Sequence, residues 1–210
     1  MKLTQGEKSE RSQGQILEAA LQLFSKHGYR GTSIREIAEA AGLSTGNVYH
    51  HFPDKEALFR TLLDQYWAAI DSPDFPFNQA LAAGAFPNDL EALARAAEES
   101  VRTYRRHVAL IYVDVVEFDG THIRKFYSGM SARFEAFLNQ RFPDRDQKSR
   151  LTPGSDPTMA FMVASRIFLH YFAVEILFGV PDQLGKPTPI AIKEIAELLR
   201  HGMFQQAPTP

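Results

Sequence analysis

The chain has 210 residues, no cysteine, 23 basic and 25 acidic side chains, and a formal net charge of −2. Room for one or two domains of about 150 residues, with a hydrophobic content of 44%, excludes a disordered chain, a collagen-like repeat and a coiled-coil rod. Without cysteine there is no disulfide framework, Cys-ligated zinc site or thiol nucleophile, and near-neutrality confines any nucleic-acid binding to a local surface.

The N-terminal run MKLTQGEKSERSQGQ lacks the apolar stretch of a signal peptide, and a cytoplasmic location is expected. Residues 1–11 are polar and are expected to form a disordered arm. The first helix announces itself by Ile16, Ala20 and Phe24 with Leu17 and Leu21, a single apolar stripe ended by Gly28. Ser33 with Glu36 reads as a capping box for a short helix whose inner face is Ile34, Ile37, Ala38 and Ala41, stopped by Gly42. Ser44 caps a third, shorter helix carrying Val48, and Pro53-Asp54 separates it from a fourth that opens near Lys55 with Leu58, Phe59, Leu62, Leu63 and Tyr66.

Residues 71–87, with three prolines and Gly84, read as broken chain. Helices are expected over 88–106, 121–140, 158–178 and 189–201, with a polar loop at 143–157 and a disordered tail at 205–210. The run VALIYVDVVEF (108–118) is β-branched and aromatic and by propensity alone is a strand. A lone strand has no partner in this sequence, so it is assigned to a buried helix. Residues 160–178 hold 15 apolar residues among 19, yet Arg166 and Glu175 interrupt them. Each such charge costs about 2.5–3.5 kcal/mol at a bilayer centre, and the segment reads as a buried helix, its two charges being candidates for burial with partners across the core or a dimer interface.

Two short helices joined by Gly42-Leu43 have the dimensions of a helix-turn-helix. Ile34, Ile37, Leu43 and Val48 anchor the pair, leaving Thr45, Gly46, Asn47, Tyr49 and His50 outward. These are small or hydrogen-bonding groups suited to a major groove about 12 Å wide. Gly46 permits close backbone approach, and Lys55, Tyr49, Ser33 and Ser44 are within reach of phosphates.

The run from Thr32 to Phe59, TSIREIAEAAGLSTGNVYHHFPDKEALF, with Gly28-Tyr29-Arg30-Gly31 before it, resembles the DNA-binding signature of the TetR family of bacterial transcriptional regulators. The resemblance covers residues 12–70. It implies an all-α homodimer: an N-terminal three-helix helix-turn-helix DNA-binding domain (12–70) and a larger C-terminal helical ligand-binding and dimerisation domain (71–204). The family's DNA contacts map onto Ser33, Ser44, Thr45, Gly46, Tyr49, His50, His51 and Lys55, and Asn47 joins them from the outward face. A repressor released from a pseudo-palindromic operator by a small apolar or aromatic effector is the implied function, with double-stranded DNA, the effector and a second copy as partners and no membrane or cofactor.

Residues 1–67 hold eight basic and eight acidic side chains, so the DNA-binding head is neutral and its salt dependence is expected to be modest. Gly42-Leu43-Ser44-Thr45-Gly46 also fits the nucleophile-elbow pattern, but that motif needs a strand before its serine, and Ser44 is read as a helix cap. The seven histidines show no metal-binding spacing. Tyr104, Tyr112, Phe118, Phe126, Met130, Phe134, Met162, Phe168 and His170 are the candidate effector-binding residues. Met159, Val163, Phe172, Ile176, Ile192, Ile195 and Leu199 are the candidate dimer contacts, because a helix apolar on nearly all sides needs cover on nearly all sides. No catalytic residue is assigned; a helical small-molecule-binding protein or an enzyme using the same C-terminal cavity is the competing reading.

Overall fold

The computed structural model describes residues 4–141 and 156–203. Among them every regular element is a helix. The expected tail at 205–210 and nearly all of the loop at 143–157 lie outside the described residues. The chain forms two compact units, residues 1–69 with 106–126, and residues 70–105 with 127–210.

The first unit holds α1 (Gln5–His27), α2 (Ile34–Ala41), α3 (Thr45–His51), most of α4 (Lys55–Asp71) and most of α8 (Arg105–Glu117). α1 starts well inside the arm expected to be disordered. Thr4 and Glu7 form a reciprocal capping box there, the Thr4 hydroxyl accepting from the Glu7 N–H and the Glu7 carboxylate from the Thr4 N–H. The core is made by Ile16, Ala20 and Phe24 of α1, Ile37 of α2, Val48 of α3, and Leu58, Phe59, Leu62 and Leu63 of α4. Leu110 of α8 is buried with them, and Val113 and Phe118 pack against the cluster.

That last contribution corrects the expected domain boundary. Residues 106–126 belong with the helix-turn-helix, although unit-two segments precede and follow them in sequence. The β-branched run is helical as expected, yet only one side of it is buried: Tyr112, Val115 and Val116 are exposed. Its burial of Leu110 in the cluster to which α1–α4 contribute outweighs the strand propensity of single residues.

The second unit holds α5 (Pro76–Ala82), α6 (Ala85–Asn88), α7 (Leu90–Thr103), α10 (Met130–Arg141), α11 (Pro157–Leu177) and α12 (Thr188–Met203); α9 (Thr121–Ser128) carries the chain across. Gly129 splits the expected 121–140 helix in two, and the stretch read as broken at 71–87 contains two short helices. α7 is the central element: α5, α6, α11 and α12 all pack on it. Its small buried residues Ala94, Ala97 and Ser100 allow close approach. Phe161 of α11 collects Phe77, Phe86 and Phe134 within 6.0 Å between ring centroids. Arg200 ties α12 to Glu91 of α7 at 3.2 Å.

α11 is covered on one side only. Phe161, Phe168 and Phe172 are buried, whereas Met159, Val163, Arg166 and His170 form an exposed stripe. Over Thr158–Leu177 the helix is long and apolar enough to span a membrane by length and composition, and 44% of that window is buried. Arg166, expected to be buried, is exposed and its guanidinium lies 3.9 Å from the Met130 sulfur. Glu175 is half-buried and accepts from the Thr188 hydroxyl at 2.7 Å.

Candidate nucleic-acid interface

The helix-turn-helix is built by its caps. The Ser33 hydroxyl accepts from the Glu36 N–H at 3.2 Å, and the Glu36 carboxylate accepts from the Ser33 N–H at 2.7 Å. The Ser33 hydroxyl also donates to the Glu36 carboxylate at 2.7 Å, and this bond, with that from the Ser33 N–H, holds the Glu36 pKa below its ordinary value. Gly42 adopts the left-handed conformation (φ 68°) that ends α2, and its N–H returns to Ala38 and Glu39. Ser44 then accepts from the Asn47 N–H at 3.2 Å and starts α3. A helix precedes this serine, so the elbow-like spacing around it belongs to a cap.

α3 buries Val48 and leaves Thr45, Gly46 and His50 exposed, with Tyr49 55% exposed. Asn47 and His51 are half-buried. The Asn47 side-chain oxygen is buried without a hydrogen-bond partner among the described residues, so this amide does not project freely as expected. Thr45 and Tyr49 line an open groove of about 650 Å³ with Ser33, Arg30, Arg35 and Lys55. Glu36 is the one acidic lining residue against these three cations. The neutral head thus gathers positive charge locally. Arg30 and Arg35 were not among the expected contacts; they lie outside α3, in the α1–α2 loop and the first turn of α2, and line the same groove as Thr45 and Tyr49.

Lys55 is less free than its position at the start of α4 suggests. Its ammonium donates to the carbonyls of Tyr29 and Thr32, both at 2.8 Å, and lies 4.1 Å above the Tyr29 ring. Burial pushes its pKa below the ordinary lysine value, opposed by the nearby Glu117 and Glu36 carboxylates. Two of its three N–H groups therefore hold the loop between α1 and α2. Lys55→Met is expected to lower stability by about 1–3 kcal/mol, measured by the denaturant midpoint; an unchanged midpoint would show these bonds to be dispensable.

The nine candidate effector residues do not form one cluster. Tyr112, Phe118 and Phe126 belong to the first unit, the other six to the second. Phe118 stacks on Phe59 (5.1 Å) and Phe126 on Trp67 (4.0 Å), so both are packing residues of the helix-turn-helix unit. Tyr112 and His170 are exposed. In the second unit Phe168 is fully buried, Tyr104, Met130, Phe134 and Met162 are half-buried, and Tyr104 packs on Phe75 at 5.3 Å. Of the candidate dimer contacts, Phe172, Ile192 and Leu199 are buried inside the protomer and Ile176 and Ile195 half-buried; Met159 and Val163 are exposed. An all-round apolar helix such as α11 has no period to tell its covered face from its free one; on α12 the exposed apolar residues are Ile190 and Leu198. No group of three or more His, Asp or Glu side chains able to hold a metal occurs among the described residues.

Residues 16–62 match the family described as bacterial regulatory proteins, tetR family. Over 62 residues the chain is 45% identical to the transcriptional repressor AcnR of Corynebacterium efficiens, covering 30% of this chain and 33% of that protein. Over 115 residues it is 33% identical to the repressor KstR2 of Rhodococcus jostii, covering 54% and 53%. The chain thus spans about a third to a half of the length of these curated relatives. Among solved structures, NalD of Pseudomonas aeruginosa, described as the secondary repressor of a multidrug efflux pump, superposes with a TM-score of 0.62 at 23% identity, covering 95% of this chain and 100% of that one. GusR of Salmonella enterica does so with a TM-score of 0.62 at 20% identity, covering 97% and 99%. At such identities these two speak to the fold, while residues 16–62, the capped helix pair among them, are similar in sequence to the bacterial regulatory proteins of the tetR family.

Proposed function

We propose that the chain is a cytoplasmic transcriptional repressor that binds a pseudo-palindromic operator as a homodimer and leaves it when a small apolar or aromatic effector binds. The observation that carries this reading is the pairing of an outward α3 face, Thr45-Gly46-Tyr49-His50, with a groove lined by Arg30, Arg35 and Lys55. A helix with small and hydrogen-bonding groups outward enters a major groove, and flanking cations with helix-cap hydroxyls meet the phosphates. Thr45 and His50 read base edges; Ser33, Ser44, Tyr49, His51, Arg30 and Arg35 position the protein on the backbone. Two copies place two α3 helices about 34 Å apart, one turn of duplex. The repressor names of AcnR and KstR2 point the same way.

The effector belongs to the second unit in this reading. Its core is rich in phenylalanine, and the buried Tyr171 hydroxyl has no hydrogen-bond partner among the described residues. Such a hydroxyl suits a ligand with one polar atom on an apolar body. The half-exposed α11, with Met159 and Val163, and α12, with Ile190 and Leu198, supply the surface for the second copy.

The test is selection of duplexes from a random-sequence pool, followed by binding titrations across salt. Arg35→Ala is expected to weaken binding to all sequences and lower the salt slope by about one contact. His50→Ala is expected to relax the preference at one base pair by about 1–3 kcal/mol. Failure of the wild-type chain to enrich any sequence would overturn the reading.

A further inference from the structure

The loop between α1 and α2 is held by a residue that lies far from it in sequence and outside the groove. The Glu117 carboxylate, at the end of α8 and only 14% exposed, accepts from the Tyr29 N–H at 2.8 Å and the Arg30 N–H at 2.6 Å. Gly28 (φ 76°) leaves the space for it: a Cβ on Gly28 would stand 2.5 Å from a Glu117 carboxylate oxygen. On the other side the Lys55 ammonium takes the Tyr29 and Thr32 carbonyls. Two of the loop's N–H groups are thus held by a carboxylate and two of its C=O groups by an ammonium. Successive N–H groups converging on one anion form a nest, a geometry that fixes backbone direction.

We propose that Glu117 is a positioning residue for DNA binding: by anchoring the Tyr29 and Arg30 amides it fixes the loop that presents Arg30, Ser33 and the start of α2 beside α3. Glu117 does not line the groove and contacts no DNA in this scheme. It works through the loop, against the electrostatic expectation that a carboxylate near the duplex weakens binding. The inference rests on the DNA-binding reading.

The experiment uses the full chain, the duplex selected by the wild type, and a scrambled duplex of equal length. Glu117→Ala is expected to bind the selected duplex about tenfold more weakly with an unchanged salt slope, since no phosphate contact is removed. Amide exchange at Tyr29 and Arg30 is expected to accelerate in the free protein. Glu117→Gln, which keeps one acceptor oxygen, recovers part of the affinity. Gly28→Ala, which displaces the carboxylate without removing it, reproduces the loss, and the double variant is less than additive. If Glu117→Ala does not fold, the Gln variant and its amide exchange decide. Wild-type affinity in these variants, or tighter binding in both Glu117 variants, overturns the proposal and leaves the DNA-binding reading intact. Absence of any binding by the wild type overturns both.

Discussion

Asp114→Ala is expected to cost the helix-turn-helix unit about 2–6 kcal/mol, about 1–3 kcal/mol for each of the two donors left without an acceptor. Asp114 is completely buried on α8. Its carboxylate accepts from His122 Nδ1 at 2.6 Å and from the Ile123 N–H at 3.0 Å, so it both orients the imidazole and caps the first turn of α9. The other ring nitrogen lies 3.8 Å from the Glu56 carboxylate of α4. The ring itself meets the edges of Phe118 (5.0 Å) and Phe59 (6.0 Å). Alanine leaves a buried amide and a ring N–H without an acceptor in a cavity walled by aromatic carbon. Asp114→Asn keeps an acceptor for Ile123 and loses the charge, so its cost is smaller. The chain's one tryptophan, Trp67, is stacked on Phe126 in the same unit, and its fluorescence reports the transition. A denaturant midpoint equal to the wild type for Asp114→Ala would show that the pair is not what closes α8 and α9 onto α4.

How much of this was legible in the sequence follows the range over which each feature is encoded. Ser33 with Glu36, Gly42, and Ser44 with Asn47 act within three or four residues, and the four helices of the head with their inner faces could be read directly. The Thr4–Glu7 box is equally local, but the helix behind it is polar on every side until Ile16 and shows no apolar period to mark it. The place of α8 was not legible. Its sequence says only that VALIYVDVVEF must be partly covered, not that Leu110 joins Ile16 and Phe59 rather than the Phe161 cluster. The same limit hid Glu117: its shortest contacts are to two backbone amides, which carry no residue identity, and the sequence traces left are Gly28 and the Arg30 side chain, 3.9 Å from the carboxylate. It also scattered the effector candidates, because Phe118 and Phe168 are equally apolar and differ only in the core they enter.

Phe168→Glu is expected to prevent the second unit from folding, whereas Leu198→Glu is expected to leave each protomer folded and break the proposed dimer. Both substitutions place a carboxylate on an apolar position of the two helices that carry the candidate dimer contacts. Phe168 is fully buried and Leu198 is 74% exposed. Truncating a buried phenylalanine already costs about 3–5 kcal/mol, and an unpaired buried carboxylate adds several more. Together these approach the whole stability of a typical domain, about 5–15 kcal/mol. At Leu198 the carboxylate stays in water, and a surface change of this kind lies within about 0.5 kcal/mol. Its effect appears only where a second copy covers the site and must desolvate the charge twice, once from each protomer, as two-fold symmetry requires. Circular dichroism with sedimentation separates the cases: Phe168→Glu loses helix content, and Leu198→Glu and Met159→Glu keep it and sediment as monomers. If both exposed-site variants remain dimeric, the second copy sits elsewhere, and the exposed Tyr112, Val115 and Val116 of α8 become the next face to charge.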